Sequence, residues 1–191
     1  INILPDEESE RKMYYLTNNI LRSNGYRKYE ISNYSKPGKE CKHNIGYWQR
    51  KEYLGFGIGA ASLYKENRYN NISDINKYIE VLTNNIKENS INNVGNSSEV
   101  ENQVNILNSI VKNLQQLTER DRMEEFMFLG LRMMEGVSME KFERYFGKPY
   151  MEVYGKVQKK MEDKRFLIND NGYVKLTEFG IDLSNYVMSE F

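Results

Sequence analysis

Cysteine is almost absent, with Cys41 the only thiol in 191 residues. One thiol excludes an internal disulfide framework, cannot hold a cysteine-ligated cluster, and fits a reducing cytoplasm. An excess of either charge is also missing, because 27 Lys and Arg face 27 Asp and Glu. Nothing in the overall charge points to nucleic acid or to a membrane surface. No apolar run approaches the roughly 20 residues of a membrane-spanning helix. The opening Ile1-Asn2-Ile3-Leu4-Pro5-Asp6 lacks the form of a signal peptide, and a first residue other than Met is expected of a fragment. What is abundant is aromatic. The 15 Tyr and 8 Phe bring large buried areas per residue, enough for a core in one domain or two small pieces.

The spacing of Met13, Leu16, Thr17, Ile20 and Leu21 predicts an amphipathic helix over 6–24, stopped by Asn24-Gly25. Tyr29 to Tyr34 alternates as a strand, broken by Lys36-Pro37-Gly38-Lys39. A loop carrying Cys41 and His43 then leads to a second expected strand, Tyr53 to Tyr64. Helix followed by strand, twice, is the rhythm of an α/β barrel or open sheet, and two such units are too few to close one. Ser73-Asp74 opens a helix to about Asn85. Residues 86–103 read as a flexible Asn- and Ser-rich insertion, followed by a weak helix from Val104 to Leu114.

From Thr118 the signals sharpen. Thr118-Glu119-Arg120-Asp121 resembles a capping box with Asp in place of Glu, and Met123, Phe126, Met127, Gly130, Leu131 and Met134 step along one helical face. Ser138 caps a short helix with Phe142 and Phe146, closed by Gly147. A third helix from Pro149 to Lys164 is expected to bury Val153, Val157 and Met161. Phe166-Leu167-Ile168 and Tyr173-Val174-Lys175-Leu176 flank Asn169-Asp170-Asn171-Gly172, a hairpin signal. Thr177 caps a last helix with Phe179, Leu183 and Val187. Three helices, a hairpin and a helix describe a winged-helix-like domain. A DNA-binding role is disfavoured, since residues 118–191 hold slightly more acidic than basic side chains and phosphate contacts dominate DNA affinity. Glu152, Glu162 and Asp163 also interrupt the Lys-rich face of the third helix.

The stretch richest in chemistry is Tyr29 to Asn71. Between Arg11 and Glu52, basic residues such as Arg27, Lys28, Lys42 and Arg50 far outnumber Glu30, Glu40 and Glu52, which favours an anionic partner or is simply a solvated surface. His43-Asn44-Ile45-Gly46-Tyr47-Trp48 gathers the only His and the only Trp. An imidazole can ligate iron and aromatic rings can cover a flat macrocycle. The alternative is a histidine that only makes local hydrogen bonds. In Tyr53-Leu54-Gly55-Phe56-Gly57-Ile58-Gly59-Ala60, a strand would place the glycines on one face, open to a ligand or to close packing of another element.

Taken in order, Tyr29-Glu30-Ile31-Ser32-Asn33-Tyr34-Ser35-Lys36-Pro37-Gly38, His43-Asn44-x-x-Tyr47-Trp48, Tyr53-Leu54-Gly55-Phe56-Gly57-x-Gly59-Ala60 and Arg68-Tyr69-x-Asn71 resemble the C-terminal half of the barrel in the radical-SAM family of oxygen-independent coproporphyrinogen III oxidases and heme chaperones. Arg122 to Arg132 and Leu176-Thr177-x-x-Gly180 resemble that family's C-terminal helical domain.

The resemblance implies α/β plus α+β architecture: the C-terminal end of a partial (β/α) barrel over 1–72, connecting helices and the insertion over 73–117, and the winged-helix-like domain over 118–191. It implies a fragment of a cytoplasmic protein of heme and porphyrin metabolism, a heme chaperone in preference to a decarboxylase of coproporphyrinogen III. A non-enzymatic winged-helix interaction module is the rival. Full-length members carry a Cys-x-x-x-Cys-x-x-Cys loop that binds [4Fe–4S] and S-adenosylmethionine, and this chain contains none of it, so no radical chemistry is expected of the chain alone. His43, Asn44, Tyr47 and Trp48 become the tetrapyrrole-binding residues, with His43 the candidate ligand of heme iron. Gly57, Ile58, Gly59 and Ala60 lie where the family's barrel approaches S-adenosylmethionine or the tetrapyrrole. Heme-acceptor proteins become expected partners, and Arg27, Lys42 or Arg50 become candidates to face heme propionates.

Overall fold

Asp6 starts the first helix by accepting the Ser9 amide on its carboxylate at 2.8 Å, as an N-cap should. The computed structural model describes residues 4–91 and 109–191, and the side chains of all of these but 85–91. Its contacts divide the chain into two compact units, Ile1–Arg50 with Met123–Phe191, and Lys51–Arg122.

The first unit begins with α1 (Glu7–Ser23). Its apolar stripe forms at the expected spacing, yet Met13, Leu16 and Ile20 are half exposed or more, so the stripe lies bare among the described residues. The strand expected over 29–34 is instead a hairpin, β1 (Arg27–Glu30) and β2 (Asn33–Ser35), paired antiparallel. The cause is the Glu30 carboxylate, which accepts the Ser32 amide at 2.9 Å and Asn33 Nδ2 at 2.5 Å and so turns the chain on itself. The loop expected around His43 is a helix, α2 (Lys42–Trp48).

The second unit is a three-stranded antiparallel sheet, β3 (Ala61–Tyr64), β4 (Asn67–Asn71) and β5 (Val111–Gln116), with helix α3 (Ile75–Ile91). Leu63, Ile72, Ile110 and Leu117 are its buried apolar residues. The weak helix expected over 104–114 is replaced from Val111 by β5, since pairing with β4 supplies backbone partners that so polar a helix would not reward. Helix α3 continues to Ile91, six residues past the expected end. The remainder of the expected insertion and residues 104–108 lie outside the described residues.

Beyond β5 the chain follows local sequence signals closely. Thr118 and Asp121 form the reciprocal capping box, Thr118 N to Asp121 Oδ2 at 2.8 Å and Asp121 N to Thr118 Oγ1 at 3.1 Å, opening α4 (Glu119–Gly130). That helix stops at Gly130, short of the Leu131 and Met134 expected on its face, because Ile31 donates its amide to the Arg132 carbonyl and Met134 to that of Tyr29, drawing the chain onto β1. Next come β6 (Val137–Ser138), α5 (Met139–Phe146), α6 (Tyr150–Asp163), β7 (Leu167–Asp170) and β8 (Tyr173–Leu176), the strands ordered β6-β8-β7. Ser138 accepts the Lys141 amide at 3.2 Å and Gly147 closes α5 at φ +65°. Asn171 and Gly172 both take positive φ, the form of a two-residue hairpin turn. The single last helix resolves into α7 (Glu178–Asp182) and α8 (Ser184–Met188), leaving Phe179 and Leu183 exposed and Val187 buried. The core of the first unit gathers Met127, Leu131, Phe142, Tyr150, Tyr154 and Met161. On α6 it is Tyr150, Tyr154, Gln158 and Met161 that are buried, whereas Val153 and Val157 pack at its margin. Every strand pairing among the described residues is antiparallel.

Candidate functional site

Helix α2 carries His43, Asn44, Tyr47 and Trp48 in the first unit. It starts at Cys41, whose side chain caps nothing, and contains Gly46, so its own sequence favours it little. His43 and Tyr47, one turn apart, meet edge to face with ring centres 4.6 Å apart. His43 is exposed and Tyr47 half-buried. The imidazole is thus held by a ring beside it and open to an incoming ligand.

Trp48 has a different partner. The Arg132 guanidinium lies 4.3 Å from the centre of its ring, a cation–π stack. The indole Nε1 is buried and finds no acceptor among the described residues, so stacking and packing rather than a hydrogen bond hold the ring. Arg132 Nη2 in turn lies 3.3 Å from Glu30 Oε2, a carboxylate with no exposed surface. Directly after α2, Arg50 occupies a left-handed backbone position at φ +55° and donates from Nε to Glu125 Oε2 at 2.9 Å. This pair is buried on both sides. The expected propionate role of Arg50 is thereby corrected, because its guanidinium is committed to Glu125 inside the protein. Lys42 remains exposed on α2. Arg27 lies elsewhere in this unit, on an open cleft of about 740 Å³ that Tyr14, Tyr15, Lys28 and Asp182 also line. There Tyr15 donates to Asp182 at 3.0 Å, and that hydrogen bond raises the Tyr15 pKa above its ordinary value.

Gly57, Ile58, Gly59 and Ala60 belong to the second unit. The expected strand with glycines on one face does not form there. Tyr53 pairs with Leu63 of β3, and residues 54–60 make a loop in which Gly57 and Gly59 take φ of +94° and +66°. Its geometry is fixed from outside: Asn71 Nδ2 donates to the carbonyls of Gly55 and Gly57 at 3.2 and 2.8 Å, and the Gly55 amide donates to Ser62 Oγ at 2.9 Å. A side chain at Gly55 would meet the Ala61 carbonyl oxygen at 2.2 Å. The loop presents Leu54, Ile58 and above all Phe56, 87% exposed, to solvent.

Sequence reasoning marked α2 and the glycine loop but missed what holds them. Glu30, Glu125 and Arg132 stand within the motifs that carried the family resemblance, and Asn71 ends another, so their places were marked without their roles. Among the described residues no group of three or more His, Cys, Asp and Glu is arranged to hold a metal ion. No helix there is long and apolar enough to cross a membrane.

Comparison with known proteins gives a consistent result. Residues 117–183 match the profile of the HemN C-terminal domain. The heme chaperone HemW of Lactococcus lactis is 35% identical over 98% of this chain, and that of Bacillus subtilis 30% over 98%. The matches take up 43% and 44% of those relatives, so the chain spans less than half their length. The solved structure of the Escherichia coli coproporphyrinogen III oxidase HemN, described as a radical SAM enzyme, superposes with a TM-score of 0.68 over 98% of this chain and 42% of that one. At 13% identity this second likeness is one of fold.

Proposed function

We propose that this chain belongs to the family of HemN and the HemW heme chaperones and is the C-terminal part of a heme chaperone whose helix α2 offers His43 to heme iron. The observation that carries the reading is the likeness to two HemW proteins across 98% of the chain. In this reading residues 1–72 complete a radical-SAM barrel, 73–117 connect, and 118–191 form a winged-helix-like accessory domain. The element order α4, β6, α5, α6, β7, β8 supports that last assignment.

The residues present fit heme as cargo. A neutral imidazole offers a lone pair to iron, and His43 is exposed on the first turn of α2 with Tyr47 beside it. Lys42 is exposed one residue away and supplies positive charge suited to a propionate, ionised at neutral pH. Asn44 on the same helix is the remaining polar contact proposed for the tetrapyrrole. The Gly57 to Ala60 loop, with Phe56 beside it, is proposed to approach S-adenosylmethionine or the tetrapyrrole of the whole protein. The fit fails for a [4Fe–4S] cluster within this chain, since Cys41 cannot supply three thiolates.

Transfer is the property that distinguishes a chaperone. Hemin-loaded protein is expected to pass its heme to an apo-heme acceptor, followed by the change in visible absorption. Failure to bind hemin saturably would remove the proposal, and formation of protoporphyrinogen from coproporphyrinogen by the whole protein would replace it with the oxidase reading.

A further inference from the structure

Helix α2 has little of its own to hold it. It is seven residues long, contains a glycine, has no side-chain cap and buries no residue completely. Isolated helices of this length do not persist in water, because nucleation is not repaid by so few hydrogen bonds. Its position must therefore be imposed by neighbours. Both strong contacts lie at its C-terminal end, within one compact unit. Trp48 stacks under Arg132, which Glu30 holds from behind, and Arg50 is drawn onto Glu125.

The backbone at Arg50 points the same way. A residue that ends a helix at positive φ is usually glycine, since any side chain there is strained. An arginine at φ +55° survives because its side chain has a buried task at Glu125. Glu125 and Arg132 both lie inside the 117–183 segment that matches the HemN C-terminal domain. His43 rides exposed on the helix that these residues grip, with the Tyr47 ring beside it.

We infer that Arg132 and Glu30, through Trp48, and Glu125, through Arg50, are positioning residues that clamp the C-terminal end of α2, so that the C-terminal domain sets the geometry at which His43 meets its ligand. This deepens the proposed heme role and rests on it. The clamp also makes a prediction that does not depend on heme, because Trp48 is the only tryptophan and its emission reports on α2 alone.

The test is on the full chain, with Arg132→Met, Arg132→Lys and His43→Ala compared with wild type by Trp emission and by hemin titration. The clamp predicts that Arg132→Met moves Trp48 emission to longer wavelength and weakens hemin binding roughly ten-fold with His43 still present, as loss of a ligand's supporting group does. Arg132→Lys should recover part of both effects, since it keeps the charge facing Glu30 but stacks less well. Unchanged emission and affinity in Arg132→Met would overturn the clamp. Shifted emission with unchanged affinity would overturn its positioning role. Equal hemin affinity in His43→Ala and wild type would instead sink the heme reading, and emission would then judge the clamp alone. Should Arg132→Met fail to fold, Glu125→Gln takes its place, because it keeps the shape and removes the charge opposite Arg50. The same shift and the same loss of affinity are expected of it, and the absence of either overturns the same claim.

Discussion

Arg50 Nε lies 2.9 Å from Glu125 Oε2, a buried ion pair between residues 75 positions apart. Removing one member strands the other charge away from water, which costs about 3–5 kcal/mol. Glu125→Ala is therefore expected to lower the urea unfolding midpoint by that equivalent. The double variant Arg50→Gly, Glu125→Leu should cost far less, because glycine relieves the positive φ and no buried charge is left. Equal losses in the single and double variants would contradict this account of the pair.

The capping box gives a pH-dependent prediction. Asp121 titrates below its ordinary value of 3.8, chiefly because its carboxylate accepts the Thr118 amide and secondarily the Thr118 hydroxyl. A lowered folded pKa means stability that is present above the ordinary carboxylate range and is lost as pH falls through the folded value. Asp121→Ala should melt below wild type at pH 7, and the gap should close as pH drops beneath 3.8. A gap independent of pH would show that the carboxylate charge has no part in it.

At the centre of the core, Phe142 is fully buried and meets the rings of Phe126, Phe146, Tyr150 and Tyr154. Phe142→Ala is expected to cost about 3–5 kcal/mol through lost burial and the cavity left behind. Chemical denaturation measures it, and a loss under about 1 kcal/mol would mean that the ring cluster is not the core.

The glycine loop gives a local prediction. Asn71→Ala removes the donor shared by the Gly55 and Gly57 carbonyls. A lost buried partner costs about 1–3 kcal/mol, and amides of the loop and of β3 should exchange faster by hydrogen–deuterium measurement. Unaltered exchange there would show the loop to be held by other means.

What the sequence made legible was whatever is decided locally. The Thr118–Asp121 box, the Ser138 cap, Gly147 and the Asn171-Gly172 turn each act within four residues, and each appears in the structure. What escaped depends on distant partners. Tyr29 to Tyr34 folds as a hairpin around Glu30, whose ion-pair partner Arg132 lies 102 positions away. Helix α2 forms despite Gly46 because Trp48 and Arg50 are gripped from α4 and the turn beyond it, which no window along the chain displays. The glycine run misled for a related reason. Alternation suggested a strand, whereas positive φ at Gly57 and Gly59 and the reach of Asn71 make it a loop. His43, Asn44, Tyr47 and Trp48 were identified by type and order, but that His43 is exposed while Trp48 stacks on Arg132 became visible only in three dimensions.

One side chain carries the heme reading most directly. Hemin titrated into the full chain should give a saturable Soret band with a defined maximum, and His43→Ala should lose that maximum while its far-UV circular dichroism stays unchanged. A Soret band of the same position and affinity in the folded His43→Ala protein would contradict the assignment of His43 as the iron ligand.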